Sequence, residues 1–191
     1  MDDKPYHHGD LRSALLAAAE AELAERGIEA FSLRSVAKRA GVSHAAPAHH
    51  FGDANGLLTA LAAEAYRQFL AVQAAREAAA DPAPRAQLVA AGLGYIDFAM
   101  SRPTLFRLMF GSRRPDYTDP ALQGAAEAAY LHLAAQVKAA GGQTAADEAA
   151  IWAQAHGLAD LLSAGRLKGL AGLESVQRDA LLSGILERSL A

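Results

Sequence analysis

The chain has 191 residues, 52% hydrophobic, 20% charged and 6% aromatic, a globular rather than a disordered composition. Alanine and leucine supply 48 and 26 of them, against 14 for valine, isoleucine and threonine together, which points to an all-helical fold and excludes a β-sandwich or barrel. With no cysteine and a net charge of −3, disulfides, thiolate metal sites, a cysteine nucleophile and a uniformly basic nucleic-acid binder are excluded, while a local basic patch is not.

Asp10 is the expected N-cap of a first helix. Leu11, Leu15, Leu16, Ala19 and Leu23 form its buried stripe, Glu20, Glu22, Glu25 and Arg26 face elsewhere, and Gly27 ends it. Ser32 caps a second, short helix from Leu33 to about Ala40, stopped by Gly41. Ser43 caps a third, from about His44 to His50, closed by Phe51. Two short helices separated by Gly41-Val42-Ser43 make a helix–turn–helix, with Gly41 permitting the positive φ of the turn. Val36, Val42 and Phe51 are expected beneath it.

Gly52-Asp53 opens a fourth helix that runs to about Ala79, with Leu57, Leu58, Leu61, Ala65 and Phe69 on one face. Asp81-Pro82-Ala83-Pro84 breaks the chain. Further helices are expected over about Arg85–Ser101, Thr104–Phe110, Ala121–Ala140, Ala145–Leu170 and Glu174–Leu190, about nine in all. The domains expected are 1–56 and 57–191. Met1–Asp10 is polar and Ala86–Ile96 is too short to span a bilayer, so a cytoplasmic chain without a membrane partner is expected.

The segment Phe31–Leu57, FSLRSVAKRAGVSHAAPAHHFGDANGL, resembles the TetR family of bacterial transcriptional regulators. Ser32, Val36, Ala37, Ala40, Gly41, Val42, Ser43, His50, Phe51 and Leu57 fall in register with the family pattern, and Tyr6–Arg12 is similar to the start of many members. Trp152–Leu158, Leu105–Phe110 and Ala46-Pro47 resemble a subgroup with a Trp/His/Gly signature in its regulatory domain.

The resemblance implies that the third helix enters the major groove of double-stranded DNA, at a pseudo-palindromic operator. Ser43, His44, Ala45 and His49 would face base edges, and Arg34 a base or a phosphate. Ser32 and His50 complete the set expected at DNA. Between Phe31 and Gly52 there are three basic residues, Arg34, Lys38 and Arg39, and no acid, although residues 1–56 hold six basic and eight acidic residues. Three positions depart from the family: Ala48 replaces a tyrosine, Ala54 a lysine (followed by Asn55 rather than an acid), and Pro47 an apolar residue. In the family that tyrosine and lysine commonly touch phosphates, so two lost contacts per subunit, four per dimer, flatten the salt dependence of binding by roughly 3 to 4 units, unless Lys4 or Arg12 compensates.

Five of the seven histidines, His7, His8, His44, His49 and His50, lack a carboxylate at ligand spacing, so no metal is expected. His156 is read as a hydrogen-bonded core histidine or a ligand contact, with Asp160 a candidate partner. No nucleophile–base set, P-loop or dinucleotide fingerprint is present, so neither an enzyme nor a bound cofactor is expected. Tyr95, Phe98, Met100, Leu105, Phe106, Met109, Phe110, Tyr130 and Trp152 gather large side chains in mid-chain. They are read either as core or as the wall of a pocket for an apolar small-molecule effector. The resemblance implies homodimerisation through the last two helices, whose apolar faces (Ile151, Leu158, Leu161, Leu162; Leu181, Leu182, Ile185, Leu186, Leu190) are broad. Arg113 and Arg114 are read as part of a solvated loop.

The function expected is a ligand-responsive, DNA-binding regulator, most often a repressor in this family. The rival is a helical small-molecule-binding or interaction module with weakened DNA binding, motivated by Ala48 and Ala54.

Overall fold

A computed structural model describes residues 8–190, with side chains from 11 to 188. Tyr6, His7 and Lys4 lie outside the described residues, and so do the side chains of His8, Asp10 and Leu190. Ten α-helices follow one another: α1 His8–Arg26, α2 Leu33–Ala40, α3 Ala46–Phe51, α4 Ala54–Ala78, α5 Pro84–Ser101, α6 Pro103–Gly111, α7 Pro120–Ala139, α8 Ala145–Ser163, α9 Lys168–Ala171 and α10 Ser175–Leu186, closed by a 3-10 turn over Glu187–Leu190. Among the described residues there is no strand, and no helix is long and apolar enough to cross a membrane.

Four helix boundaries differ from the expectation. α1 begins at His8, not after a cap at Asp10. α3 begins at Ala46, with Ala45 rather than Ser43 at its N-cap position. Pro47 decides this: in a helix begun at His44 its missing N–H and its ring would fall beyond the first turn, where they break the hydrogen-bond ladder, so the helix starts late enough to keep Pro47 in that turn. The long helix expected from Ala145 to Leu170 is two. Gly165, at φ +67°, donates to Leu162 O, and Arg166 N–H donates to Leu161 O, a paired closure that ends α8. The last helix stops at Leu186 and tightens into the 3-10 turn.

Helix α4 is the spine. It packs against α1 and α3 on one side and against α5, α6 and α7 on the other. Leu57, Leu58, Leu61, Ala65 and Phe69 are all buried, as their spacing requires. Helix α5 is buried on most of its circumference, including Leu88, Ala91, Tyr95, Ile96 and Phe98, and is the centre of the larger body. It approaches α4 so closely that a Cβ on Gly94 would lie 2.7 Å from the Gln73 Cα. Arg76 on α4 clasps Asp97 of α5 and Asp179 of α10, each at 2.6 Å. One apolar core runs unbroken from Leu15 through Leu58, Phe98 and Leu105 to Leu186, so α1–α3 are seated on the body rather than tethered to it.

Candidate nucleic-acid interface and ligand cleft

Helices α2 and α3 are set by local chemistry. Ser32 accepts from Ser35 N–H and opens α2. Gly41, at φ +69°, closes it, with Gly41 N–H bonded to Lys38 O and Val42 N–H to Ala37 O. Only glycine enters that left-handed region freely. Val36 and Ala37 are buried, and Val42 and Phe51 are partly buried against the core. Pro47, which stands where an apolar residue is usual, is itself buried.

The opposite face is exposed. Ser43, His44 and Ala45 lie on the turn before α3, and Ala48 and His49 lie on α3 itself. Arg34 and Lys38 are exposed on α2, while Ser32 and His50 are half-buried. The fold thus brings Arg34, Ser43, His44, Ala45 and His49 to the outer side of one small unit. Arg12 is held at 5.4 Å over the Phe51 ring, at the far end of α3.

Two expectations about charge are corrected. Glu22 does not face solvent: it is 2% exposed and its carboxylate pairs with Arg39 at 3.1 Å and Arg26 at 3.2 Å. Arg39 also bonds Glu25, which holds the Glu25 carboxyl below its usual range, chiefly through that hydrogen bond. Arg39 is therefore an internal brace between α1 and α2, and the local basic patch reduces to Arg34 and Lys38. Arg39→Ala leaves a buried carboxylate with one partner fewer. It is expected to lower the thermal midpoint by several degrees, whereas Lys38→Ala leaves the midpoint unchanged; equal midpoints in a calorimetric scan would contradict the brace.

Arg114 corrects a third reading. It is not a solvated loop residue: its Nε donates to Asn55 Oδ1 at 2.7 Å and its Nη1 to Ile28 O at 3.2 Å. Nearby, Asp116 N–H donates to Thr59 Oγ1 at 2.9 Å, and Arg102 pairs with Glu20. The loop between α6 and α7 is thereby pinned to the start of α4 and to the α1–α2 connection.

In the body, the rings of Phe69, Tyr95, Phe98, Phe106, Phe110 and His156 pack edge to face or tilted, except Tyr95 and Phe110, which stack, with centroids 4.8 to 6.2 Å apart. Tyr95 takes the place expected for Asp160. Its hydroxyl lies 2.8 Å from His156 Nδ1 and 3.3 Å from Trp152 Nε1. Indole only donates, so Tyr95 accepts from Trp152 and shares a second hydrogen bond with His156 Nδ1. Burial pushes the His156 imidazole below its ordinary pKa, with Asp160 opposing weakly, and burial pushes the Tyr95 phenol up.

The sign of the resulting pH dependence follows from linkage. The unfolded chain takes up the His156 proton first, so the stability this site contributes is present above the ordinary imidazole pKa and lost as pH falls through the depressed folded value. Acidification below pH 6.5 is expected to lower the midpoint and shift the emission of Trp152, and His156→Gln to flatten both profiles; a variant with the wild-type profile would refute the assignment.

An open cleft of about 510 Å³ lies beside this network, lined by Tyr66, Phe110, Tyr117, Tyr130 and Trp152 among others. Trp152 also lines a small void of about 40 Å³ with Tyr95, Leu88 and Ile151. Of the expected effector residues, Phe110, Tyr130 and Trp152 line the cleft, and Tyr95 and His156 stand behind Trp152. Phe98, Phe106 and Met109 are buried and line neither space. Tyr66 and Tyr117 were not anticipated. Tyr66 sits three residues before Phe69 on the buried face of α4, a spacing visible in the chain, but Tyr117 is on a loop with no periodicity to place it. Among the described residues, no three His, Asp or Glu side chains are grouped to hold a metal ion.

Helices α8 and α10 share their apolar residues between core and surface. Leu162, Leu182 and Leu186 are buried and Leu158, Leu161 and Ile185 half-buried, whereas Val176 is 79% and Leu181 51% exposed.

Comparison with known proteins places both parts. Residues 15–61 match the description "Bacterial regulatory proteins, tetR family", and residues 88–187 match "Tetracyclin repressor-like, C-terminal domain". An HTH-type transcriptional regulator BetI of Burkholderia thailandensis is 34% identical over 125 residues, 56% of this chain and 64% of that protein. The chain thus spans less than two thirds of the curated relatives it matches. A solved structure of a protein of unknown function from Rhodococcus sp. RHA1 superposes with a TM-score of 0.81 at 31% identity, covering 98% of this chain and 97% of that one. A TetR-like transcriptional regulator from the same source, 18% identical with a TM-score of 0.68 over 97% and 98% of the two chains, shares the fold.

Proposed function

Because the chain belongs to the TetR family of bacterial regulatory proteins, we propose that it is a ligand-responsive transcriptional regulator, acting as a repressor in the cytoplasm. A small molecule in the body controls how α3 meets an operator. The observation that carries this reading is the outer face of α2 and α3. Arg34, Ser43, His44, Ala45 and His49 stand exposed there on a unit whose inner face is fused to the effector body through α4. Ser32 and His50, at its edges, complete the DNA-facing set. The functional division falls at 1–56 and 57–191, one turn inside α4.

A homodimer through α8 and α10 presents two such faces to successive major grooves of a pseudo-palindromic site. The exposed Val176 and Leu181 support that interface. Trp152 and His156 bonded to one phenol support membership of the subgroup with a Trp/His/Gly signature. The effector residues are Tyr95, Phe110, Tyr130, Trp152 and His156, with Tyr66 and Tyr117. No catalytic role is assigned to any of them. The ligand shifts DNA occupancy only through unequal affinity for two states.

Electrophoretic retardation of the DNA upstream of its own gene tests this. Binding at low salt is expected, with a log affinity against log salt slope shallower than about −8, because Ala48, Ala54 and the braced Arg39 leave few phosphate contacts. Arg34→Ala is expected to weaken specific binding by about 5- to 150-fold. No retardation at low salt would favour the second reading, a helical small-molecule-binding module with weakened DNA contacts, which Ala48 and Ala54 motivate.

A further inference from the structure

The cleft between α4, α6, α7 and α8 carries a charge preference as well as an apolar wall. Five aromatic side chains, Tyr66, Phe110, Tyr117, Tyr130 and Trp152, surround it, Glu127 is its carboxylate, and no lysine, arginine or histidine lines it. A second carboxylate, Glu148, accepts a hydrogen bond from Tyr130 Oη at 2.7 Å. Ring faces carry the negative end of the aromatic quadrupole, and a cation within about 6 Å of such a face is attracted to it. Tyr66 and Tyr130 keep their protons. Burial, then the contact with Tyr117, raises the pKa of Tyr66, and the bond to Glu148 raises that of Tyr130. A volume of about 510 Å³ suits a small organic molecule.

We propose that the cleft takes a lipophilic organic cation, a quaternary ammonium or phosphonium type of molecule, seated against the rings with its charge facing Glu127, and with Glu148 behind the Tyr130 phenol. This rests on the reading of the cleft as the effector site. An anion meets the Glu127 carboxylate and the negative faces of the rings. A neutral apolar molecule uses the same walls but desolvates Glu127 without pairing it. The charge complementarity therefore selects the cation.

Trp152 is the only tryptophan in the chain and stands in the wall, so its emission reports occupancy without DNA. The probes are tetraphenylphosphonium, the isosteric anion tetraphenylborate and the neutral triphenylphosphine oxide. Tetraphenylphosphonium is expected to quench Trp152 saturably and to bind at least tenfold more tightly than either control. Glu127→Gln, a change at an exposed side chain, is expected to cut the cation-to-neutral preference about two- to fivefold, and the double change with Glu148→Gln to cut it further. Trp152→Leu, followed by calorimetry, is expected to lose at least tenfold in cation affinity. Equal or tighter binding of the borate or the oxide, or a preference untouched by both glutamine changes, would overturn the proposal. Cation preference without DNA retardation would refute only the regulator reading, and retardation without cation preference only this one.

Discussion

Gly56→Ala is expected to cost the α1–α3 unit about 3 kcal/mol or more and to abolish DNA retardation at ordinary temperature. A Cβ at Gly56 would lie 2.0 Å from the Phe51 carbonyl oxygen. That neighbour is backbone, fixed by the Gly52 turn at φ +76°, so it has no rotamer through which to give way. Overpacking a well-filled site costs about 1–3 kcal/mol and more where the backbone must move. Intrinsic helix propensity argues the other way: alanine for glycine inside a helix gains about 1 kcal/mol. The direction of the change in thermal midpoint therefore separates the two effects, and a stabilised Gly56→Ala would show that the α3–α4 approach has room for a methyl group. Asp53→Ala removes only the cap to Gly56 N–H at 2.8 Å and is expected to cost about 1 kcal/mol.

Arg114→Ala is expected to uncouple the body from the DNA-reading unit while leaving both folded. The side chain spans from the α6–α7 loop to Asn55 and Ile28, and that loop also carries Tyr117 of the cleft wall, whose hydroxyl donates to Met109 O. A shift of Tyr117 on cleft occupancy would reach the first turn of α4 through a few bonded atoms. Coupling free energies between sites commonly correspond to factors of about 5 to 150. Arg114→Ala is expected to erase most of the ligand's effect on DNA affinity, and to speed amide exchange at the α1–α2 connection and the start of α4 by at least about tenfold. Unchanged exchange at both places would show that the contact carries no coupling. Asn55 has a part here that its departure from the family pattern did not suggest, since it receives the latch.

How much of this was legible in the chain depends on the range of the interaction. The Ser32 cap, the Gly27 and Gly41 turns and the Asp53 cap were readable because each is a contact within a few residues along the chain. The stripe from Leu15 to Leu23 and the face from Leu57 to Phe69 were readable because burial repeats with the helical period. The break at Gly165 was legible in principle, but alanines and leucines on either side support helix so strongly that one glycine did not outweigh them. The start of α3 was misplaced because the Ser43 cap signal competes with Pro47, and the proline prevails.

By itself, the sequence determined an all-helical chain and the helix–turn–helix, since short-range hydrogen bonds and periodic burial decide these, while the set around His44 and His49 followed from the family resemblance. Only the tertiary structure decided which charges remain available. Arg39 belongs to the basic stretch by position, yet Glu22, 17 residues earlier, holds it, and Arg114 stands in a loop by position, yet Ile28, 86 residues away, accepts from it. The net charge of −3 adds up every charged group, and a sum carries no record of which partners meet. The same holds for the scarce aromatic residues. Their number was plain from composition, but packing alone sorted Phe98 and Met109 into the core and Tyr66, Tyr117, Tyr130 and Trp152 into a cleft wall, because a wall requires four separate segments to converge.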